Sequence, residues 1–317
     1  MKIEIVEVKD ILEWDKFVEN SNQNNVFSKS IFLSNWFEKY KIFFAIKKKI
    51  PVLGVIVPIK NFNRSNLKAY SYQSIIINKY FDNLPYHAKY KIINDSLEVI
   101  FYFLINKFQK FHLSLHPSIE DIRSIQSIKY NSINTKLNLD IEVKYTSYLN
   151  NINNIDDLIF DARKVRQQEY KKALKSFSFK KIEDLKIVDD LHKKTFTRQN
   201  KKRGPGGDLL FNKILNQLIR EGKISMLACE DINKKVVSST IFLHQNNIAY
   251  YLVGASDPNY RNAGVSTGTL FEHFKYLIKN KITIIDLFGT NSPLRGDFKT
   301  SFNSKIQTYF EISYNND

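Results

Sequence analysis

The chain has 317 residues, 43% hydrophobic and 14% aromatic, which is enough apolar surface for one large or two smaller cores and excludes a disordered polymer. Its 48 basic residues outnumber 32 acidic ones, for a formal charge of +16, but 39 of the 48 are Lys and only 9 are Arg. Phosphate-reading surfaces draw on Arg as well, so the excess reads first as a compositional bias and only second as a surface for nucleic acid or anionic membrane.

Residues 1–8 alternate apolar and charged side chains, the period of a half-buried strand, and lack the apolar stretch of a signal peptide. No apolar run approaches the roughly 20 residues of a membrane span, so a cytoplasmic location is expected. Ile11, Leu12, Trp14, Phe17 and Val18 form the apolar stripe of a helix over 10–20. A second amphipathic helix is predicted over 31–40. A hairpin then runs through 41–46 and 52–59, and Pro51 and Pro58 remove backbone donors from it, which puts it at an edge or a bulge. Strands at 69–77 and 111–115 flank a long helix over 89–108. Strands alternating with helices in this way argue for an α/β class.

The polar, turn-prone Asn150-Asn-Ile-Asn-Asn154 marks a boundary, giving domains 1–152 and 153–317. Beyond it, 156–176 reads as one long basic helix that includes Arg163 and Arg166. A strand over 177–182, a helix over 184–194, the basic loop Lys201-Lys-Arg-Gly-Pro-Gly-Gly207 and a helix over 208–221 follow. Cys229, the only cysteine, lies in the strand-like hairpin 224–230/235–244 and reads as a small buried apolar residue. It leaves no intramolecular disulfide and fits a reducing compartment. The two halves share an order of elements, which points to an internal duplication.

The most informative stretch runs from Asn247 to Tyr309. The apolar run Ile248–Val253 breaks at Gly254-Ala-Ser-Asp-Pro258. Asn-Tyr-Arg261-Asn-Ala-Gly264-Val-Ser266-Thr-Gly268 leads into an amphipathic helix over 269–278. A second strand, 282–288, ends in the loop Gly289-Thr-Asn-Ser-Pro293, and Asp297-Phe-Lys-Thr-Ser-Phe302 follows. This order sets a helix N-terminus beside a strand end, a place suited to phosphate groups. Backbone amides near Val253 and around Gly264, Ser266 and Gly268 fit that role; the bland alternative is a tight turn that needs glycine for φ alone.

These residues resemble a known family. Gly254-Ala-Ser-Asp-Pro-Asn-Tyr260-Arg261, Gly264-Val-Ser266, Ile285-Asp286-Leu-Phe-Gly289-Thr and Phe298-Lys299-Thr-Ser-Phe302 are similar, in order and spacing, to the FemAB/FemX-like branch of the GNAT acyltransferase superfamily, "acetyltransferase 6" type. Arg163-x-x-Arg166 and Phe27-Ser-Lys-Ser30 with Trp36 resemble further segments of that family. The resemblance implies tandem GNAT-like domains, each a mixed, mostly antiparallel sheet flanked by helices, and N-acyl transfer to an amine. It also implies that Lys299 faces the acyl-transfer centre as a cation stabilising the carbonyl oxygen, with Phe298 walling the site.

Members that use aminoacyl-tRNA carry a helical-hairpin insertion for which this sequence leaves no room. The expected donor is therefore acyl-CoA, most simply acetyl-CoA. The expected acceptor is the amine of a nucleotide-linked amino sugar or another envelope or polysaccharide precursor. Aminoacyl-tRNA transfer onto a peptidoglycan precursor and a non-catalytic basic binding module are the competing readings. Asp286, ending a buried strand, either serves as a base for the amine or pairs with Arg295 or Lys299 or caps its loop. Arg261 reaches phosphate or lies solvated, and Arg163 and Arg166 bind an anionic acceptor or form a solvated basic face. The six histidines make no metal-ligand pattern, and no metal is expected.

Overall fold

The computed structural model describes residues 2–60, 72–131, 137–198, 200, 202–203, 207–208 and 210–316. Residues 69–71 of a predicted strand, Lys201 and Gly204 to Gly206 of the predicted basic loop, and Leu209 lie outside them. Contacts divide the chain into two units, Met1–Lys144 with Thr308–Asp317, and Tyr145–Gln307.

In the first unit, β1 (Glu4–Glu7), β2 (Lys39–Lys47), β3 (Ile50–Lys60) and β4 (Ile75–Ile77) form an antiparallel sheet in that order. The β2–β3 register shifts beside Pro51 and Pro58, the positions where proline withholds a ladder donor. Helix α2 (Ser30–Trp36) ends earlier than its pattern suggests, because Lys39 and Tyr40 pair with β3. The long α3 (Tyr86–Lys107) buries Leu97, Ile100, Phe101 and Leu104. They share a core with Phe43, Val55, Phe111 and Leu113, the last two from β5 (Lys110–Ser114). Residues 311–315 of the strand Lys305–Asn315 pair antiparallel with β5 and bury Ile312 and Tyr314 in this core. Thr308–Asp317 thus group with the first unit, an arrangement that the sequence reading, with its boundary at 152/153, leaves open.

In the second unit, the strand order is β6 (Leu139–Asn150, through its last residues), β11 (Ile284–Asp286), β10 (Ile248–Ser256), β9 (Val236–Gln245), β8 (Ile224–Glu230) and β7 (Ser178–Lys181). Every pair is antiparallel except β10–β11, which is parallel and covers only Ile248–Tyr250 against Ile284–Asp286. The predicted helix over 156–176 is two helices, α5 (Ile155–Asp161) and α6 (Lys164–Ser176). The break is stabilised from outside and inside the segment: the Arg163 amide donates to the Ser301 carbonyl at 2.8 Å, and the Gln167 side chain donates to the Phe160 and Ala162 carbonyls. The predicted loop Gly289–Pro293 leads directly into a helix the sequence reading does not give, α10 (Pro293–Thr300), with Pro293 in its first turn.

Helix α9 (Val265–Lys279) packs on the sheet through Leu270, Phe271, Phe274 and Leu277. Its other close neighbour is α6. A Cβ on Gly264 would lie 2.4 Å from the Glu169 carbonyl oxygen, and one on Gly268 would lie 2.8 Å from both the Ala173 Cβ and Phe179. Gly264 also sits at φ 77, where a side chain is strained. Both glycines are therefore used for helix packing. Replacing Gly264 by Ala is expected to lower unfolding stability by about 2 kcal/mol or more, from left-handed strain plus the clash with fixed backbone. Urea titration of both proteins checks this; a change within ±0.5 kcal/mol, the range of an ordinary surface substitution, would contradict it.

Candidate active site

The site grows from the short parallel contact. Beyond Tyr250 and Asp286 the two strands part: β11 ends, while β10 continues to Ser256 with no strand partner on that side among the described residues. A bulge between Tyr251 and Val253 adds one residue to β10 relative to β9. The extra residue brings Tyr251 and Gly254 onto one face, opposite Phe242 and Thr240 of β9. The Tyr251 ring stacks on Phe242 at 5.1 Å, and its hydroxyl lies where a Cβ on Gly254 would be, 1.6 Å from that ideal position. Val253, the first residue after the bulge, is buried.

Lys299 projects from the last turn of α10. Its ammonium donates to the carbonyl of Phe288, lies 3.5 Å from that of Gly289 and stands 5.5 Å from the centre of the Tyr251 ring. Burial lowers its pKa to about 8, Asp286 opposes that shift and Arg295 adds to it. The cation thus sits at the mouth where β10 and β11 separate, with backbone oxygens on one side and an aromatic face on another.

Asp286 is fully buried at the end of β11. Its Oδ1 accepts the Thr146 hydroxyl at 2.5 Å and the Phe288 amide at 2.8 Å, so the carboxylate caps the loop that carries the oxygens facing Lys299. Phe298, the residue before Lys299, turns elsewhere: its ring lies edge-on to Phe302 at 5.3 Å and beneath the Arg166 guanidinium at 5.0 Å.

Arg163 and Arg166 are not equivalent. Arg163 is exposed and forms a bidentate pair with Asp297 of α10, at 2.7 and 3.0 Å, which holds the Asp297 carboxyl below the usual carboxylate range. Arg166 is largely buried. It donates to Glu169 and, at 3.1 Å, to the Thr267 hydroxyl in the first turn of α9. That turn also carries Ser266, whose hydroxyl lies 2.9 Å from the Ser256 hydroxyl at the end of β10, tying strand end to helix start. Arg261 is exposed in the 3-10 turn Pro258–Ala263 that precedes Gly264. The structure therefore gathers Lys299, Asp286 and Tyr251 beside the middle of β10, where β11 ends, and Arg261, Gly264, Ser266 and Gly268 around the start of α9.

Sequence reasoning missed Tyr251 and Thr146. Neither carries a motif, and their positions depend on the bulge and on the pairing of β6 with β11. Tyr260 donates to Asp231 at 2.7 Å and packs on Phe177. Cys229 is buried beside Val237 and Val265, and burial pushes its thiol up to about 12. His273, buried on α9, contacts the Ser225 hydroxyl at 2.6 Å and the Thr240 hydroxyl at 2.7 Å. Among the described residues no three His, Cys, Asp or Glu side chains converge as a metal-ligand set, and no helix is long and apolar enough to cross a membrane.

Residues 162–300, which include every site residue named above except Thr146, match the family described as "Acetyltransferase (GNAT) domain". No curated protein matches the chain in sequence. Among solved structures, FemX is similar over 97% of this chain and 96% of its own, at 12% identity and a TM-score of 0.67. L-PGS from Bacillus licheniformis is similar over 98% and 93%, at 8% identity and 0.54. A tandem GNAT protein from the clavulanic acid biosynthesis pathway is similar over 98% of each chain, at 8% identity and 0.52. At such identities these likenesses speak to fold. Residues 162–300 match an acetyltransferase (GNAT) domain, which supports an acyltransferase, and the chain has a tandem GNAT-like α/β fold similar to that of FemX.

Proposed function

We propose that the chain transfers an acyl group from acyl-CoA, acetyl-CoA in the simplest case, to the amine of a nucleotide-linked amino sugar or a related bacterial envelope or polysaccharide precursor, in the cytoplasm. The observation that carries this reading is the Lys299 ammonium at the parting of β10 and β11. In such a transfer the neutral amine attacks the thioester carbonyl and negative charge gathers on its oxygen. The carbon–sulfur bond then breaks, and the departing thiolate takes up the proton that the amine loses. A cation at the carbonyl stabilises that charge where water is excluded. Lys299 is the catalytic residue in this reading.

The donor's phosphates are assigned to the start of α9, where backbone amides and the helix dipole favour anions. Ser266 and exposed Arg261 supply polar contacts, and Gly264 and Gly268 act by setting α9 against α6. Backbone beside Val253, on the edge of β10 beyond its pairing with β11, lines the acyl arm. Phe298 and Arg166 shape the wall behind α10, and exposed Arg163 is assigned to the anionic acceptor.

Thermal unfolding with acetyl-CoA, longer acyl-CoAs and nucleotide sugars tests the donor. A true ligand at about 100 times its Kd adds roughly 2.7 kcal/mol of stability, and silence across the panel would sink this reading. Labelled product is expected from acyl-CoA and not from charged tRNA; the reverse result favours aminoacyl transfer. Lys299→Met is expected to lower kcat by about 10²-fold, the cost of losing one oxyanion donor, while unchanged transfer would remove Lys299 from the mechanism. Because the Lys299 cation is lost as pH rises through about 8, kcat is expected to fall above that pH, and the Met variant should lack this limb.

A further inference from the structure

Asp286 stands where a proton-accepting carboxylate is expected, yet its surroundings fit another task. It is fully buried, and Thr146, the hydroxyl donor to its Oδ1, is also fully buried. Oδ1 also accepts from the Phe288 amide, which belongs to a residue at φ 48, the left-handed region that costs a bulky side chain about 1–2 kcal/mol. Gly289 follows at φ 51. These two left-handed residues carry the carbonyls that face the Lys299 ammonium. The same turn is clamped from β6: the Leu287 amide donates to the Ser147 carbonyl at 2.9 Å, the Thr290 amide to the Tyr145 carbonyl at 3.3 Å, and the Tyr145 amide to Asn291 Oδ1 at 2.6 Å.

We propose that Thr146 and Asp286 are positioning residues: the carboxylate, oriented by the Thr146 hydroxyl, locks the Phe288–Gly289 turn that seats the Lys299 ammonium and sets a negative charge behind it. Asp286 then takes no proton from the acceptor. This rests on Lys299 being the catalytic cation of the preceding section. The groups facing Lys299 are Asp286 from β11, Arg295 from its own helix and the Tyr251 ring from β10. Of these, Asp286 favours the charged ammonium and Arg295 opposes it, while burial keeps the Tyr251 phenol neutral.

Two isosteric changes separate the carboxylate's charge from its geometry. Asp286→Asn keeps an oxygen that accepts both hydrogen bonds and removes the charge. Thr146→Val keeps the shape and removes the hydroxyl, and Thr146→Ser restores it. The titration of Lys299 is read by NMR of the full chain with 13C-dimethylated lysines, the signal being assigned by its loss in Lys299→Arg. In Asp286→Asn the Lys299 midpoint is expected to fall by roughly half a pH unit or more, from removal of a nearby charge in a poorly screened site. The alkaline limb of the rate profile should move with it, with donor KM unchanged. Thr146→Val is expected to lower kcat about tenfold, the loss of about one hydrogen bond, and Thr146→Ser to recover it.

An unchanged Lys299 midpoint in a folded Asp286→Asn protein overturns the proposal. So does loss of the acidic limb of the rate profile in that variant, the signature of a general base. If Asp286→Asn does not fold, equal kcat in wild type, Thr146→Val and Thr146→Ser overturns it. A shifted midpoint in a protein that transfers no acyl group supports the positioning geometry while removing the proposed reaction.

Discussion

The second unit depends on a parallel pairing that stops after three residues. Had β11 followed β10 for its full length, every donor and acceptor on that edge would be consumed in a ladder, leaving no opening in the sheet. Because β11 ends at Asp286, its chain turns away through two left-handed residues, and among the described residues the edge of β10 from Tyr251 to Ser256 has no strand partner on that side. The Lys299 seat and the start of α9 both lie along this edge. The site is a consequence of where the sheet stops.

The strand end and the helix start are linked by small polar contacts. Ser256 meets Ser266, and Arg166 with Glu169 meets Thr267, so the first turn of α9 is fixed from β10 and from α6 together. On the opposite side, Arg163 and Asp297 join the start of α6 to α10. An exposed pair of this kind adds little stability by itself. Its effect is geometric, since α10 carries Lys299. Burial and geometry thus divide the work: apolar packing of Phe271, Phe274 and Phe302 holds the helices, and polar contacts set the angle at which their ends meet.

Much of this was legible in the sequence. The alternation of strands and helices, the strand–loop–helix order after Ile248 and the buried Cys229 follow from periodicity and residue type. Lys299 was reached through a resemblance, because its partners are backbone carbonyls, which leave no mark in a side-chain pattern. The break at Ala162–Arg163 was illegible for a related reason: it is stabilised by the Ser301 carbonyl and by Asp297, more than a hundred residues away. The bulge in β10 has no composition signal, so Tyr251 was read as one residue of an apolar run. Helix α10 was hidden by its short length and by Pro293, which marks a loop as readily as a helix start.

The grouping of Met1–Lys144 with Thr308–Asp317 has a consequence for how the protein is made. Tyr145–Gln307 is one uninterrupted segment, so all the chain that this unit uses is made before the last ten residues. The first unit is not complete by then: its β5 pairs with Glu311–Asn315, and its core takes in Ile312 and Tyr314. Until Glu311–Asn315 emerge, the first unit therefore lacks a partner strand for β5 and the part of its core that Ile312 and Tyr314 supply.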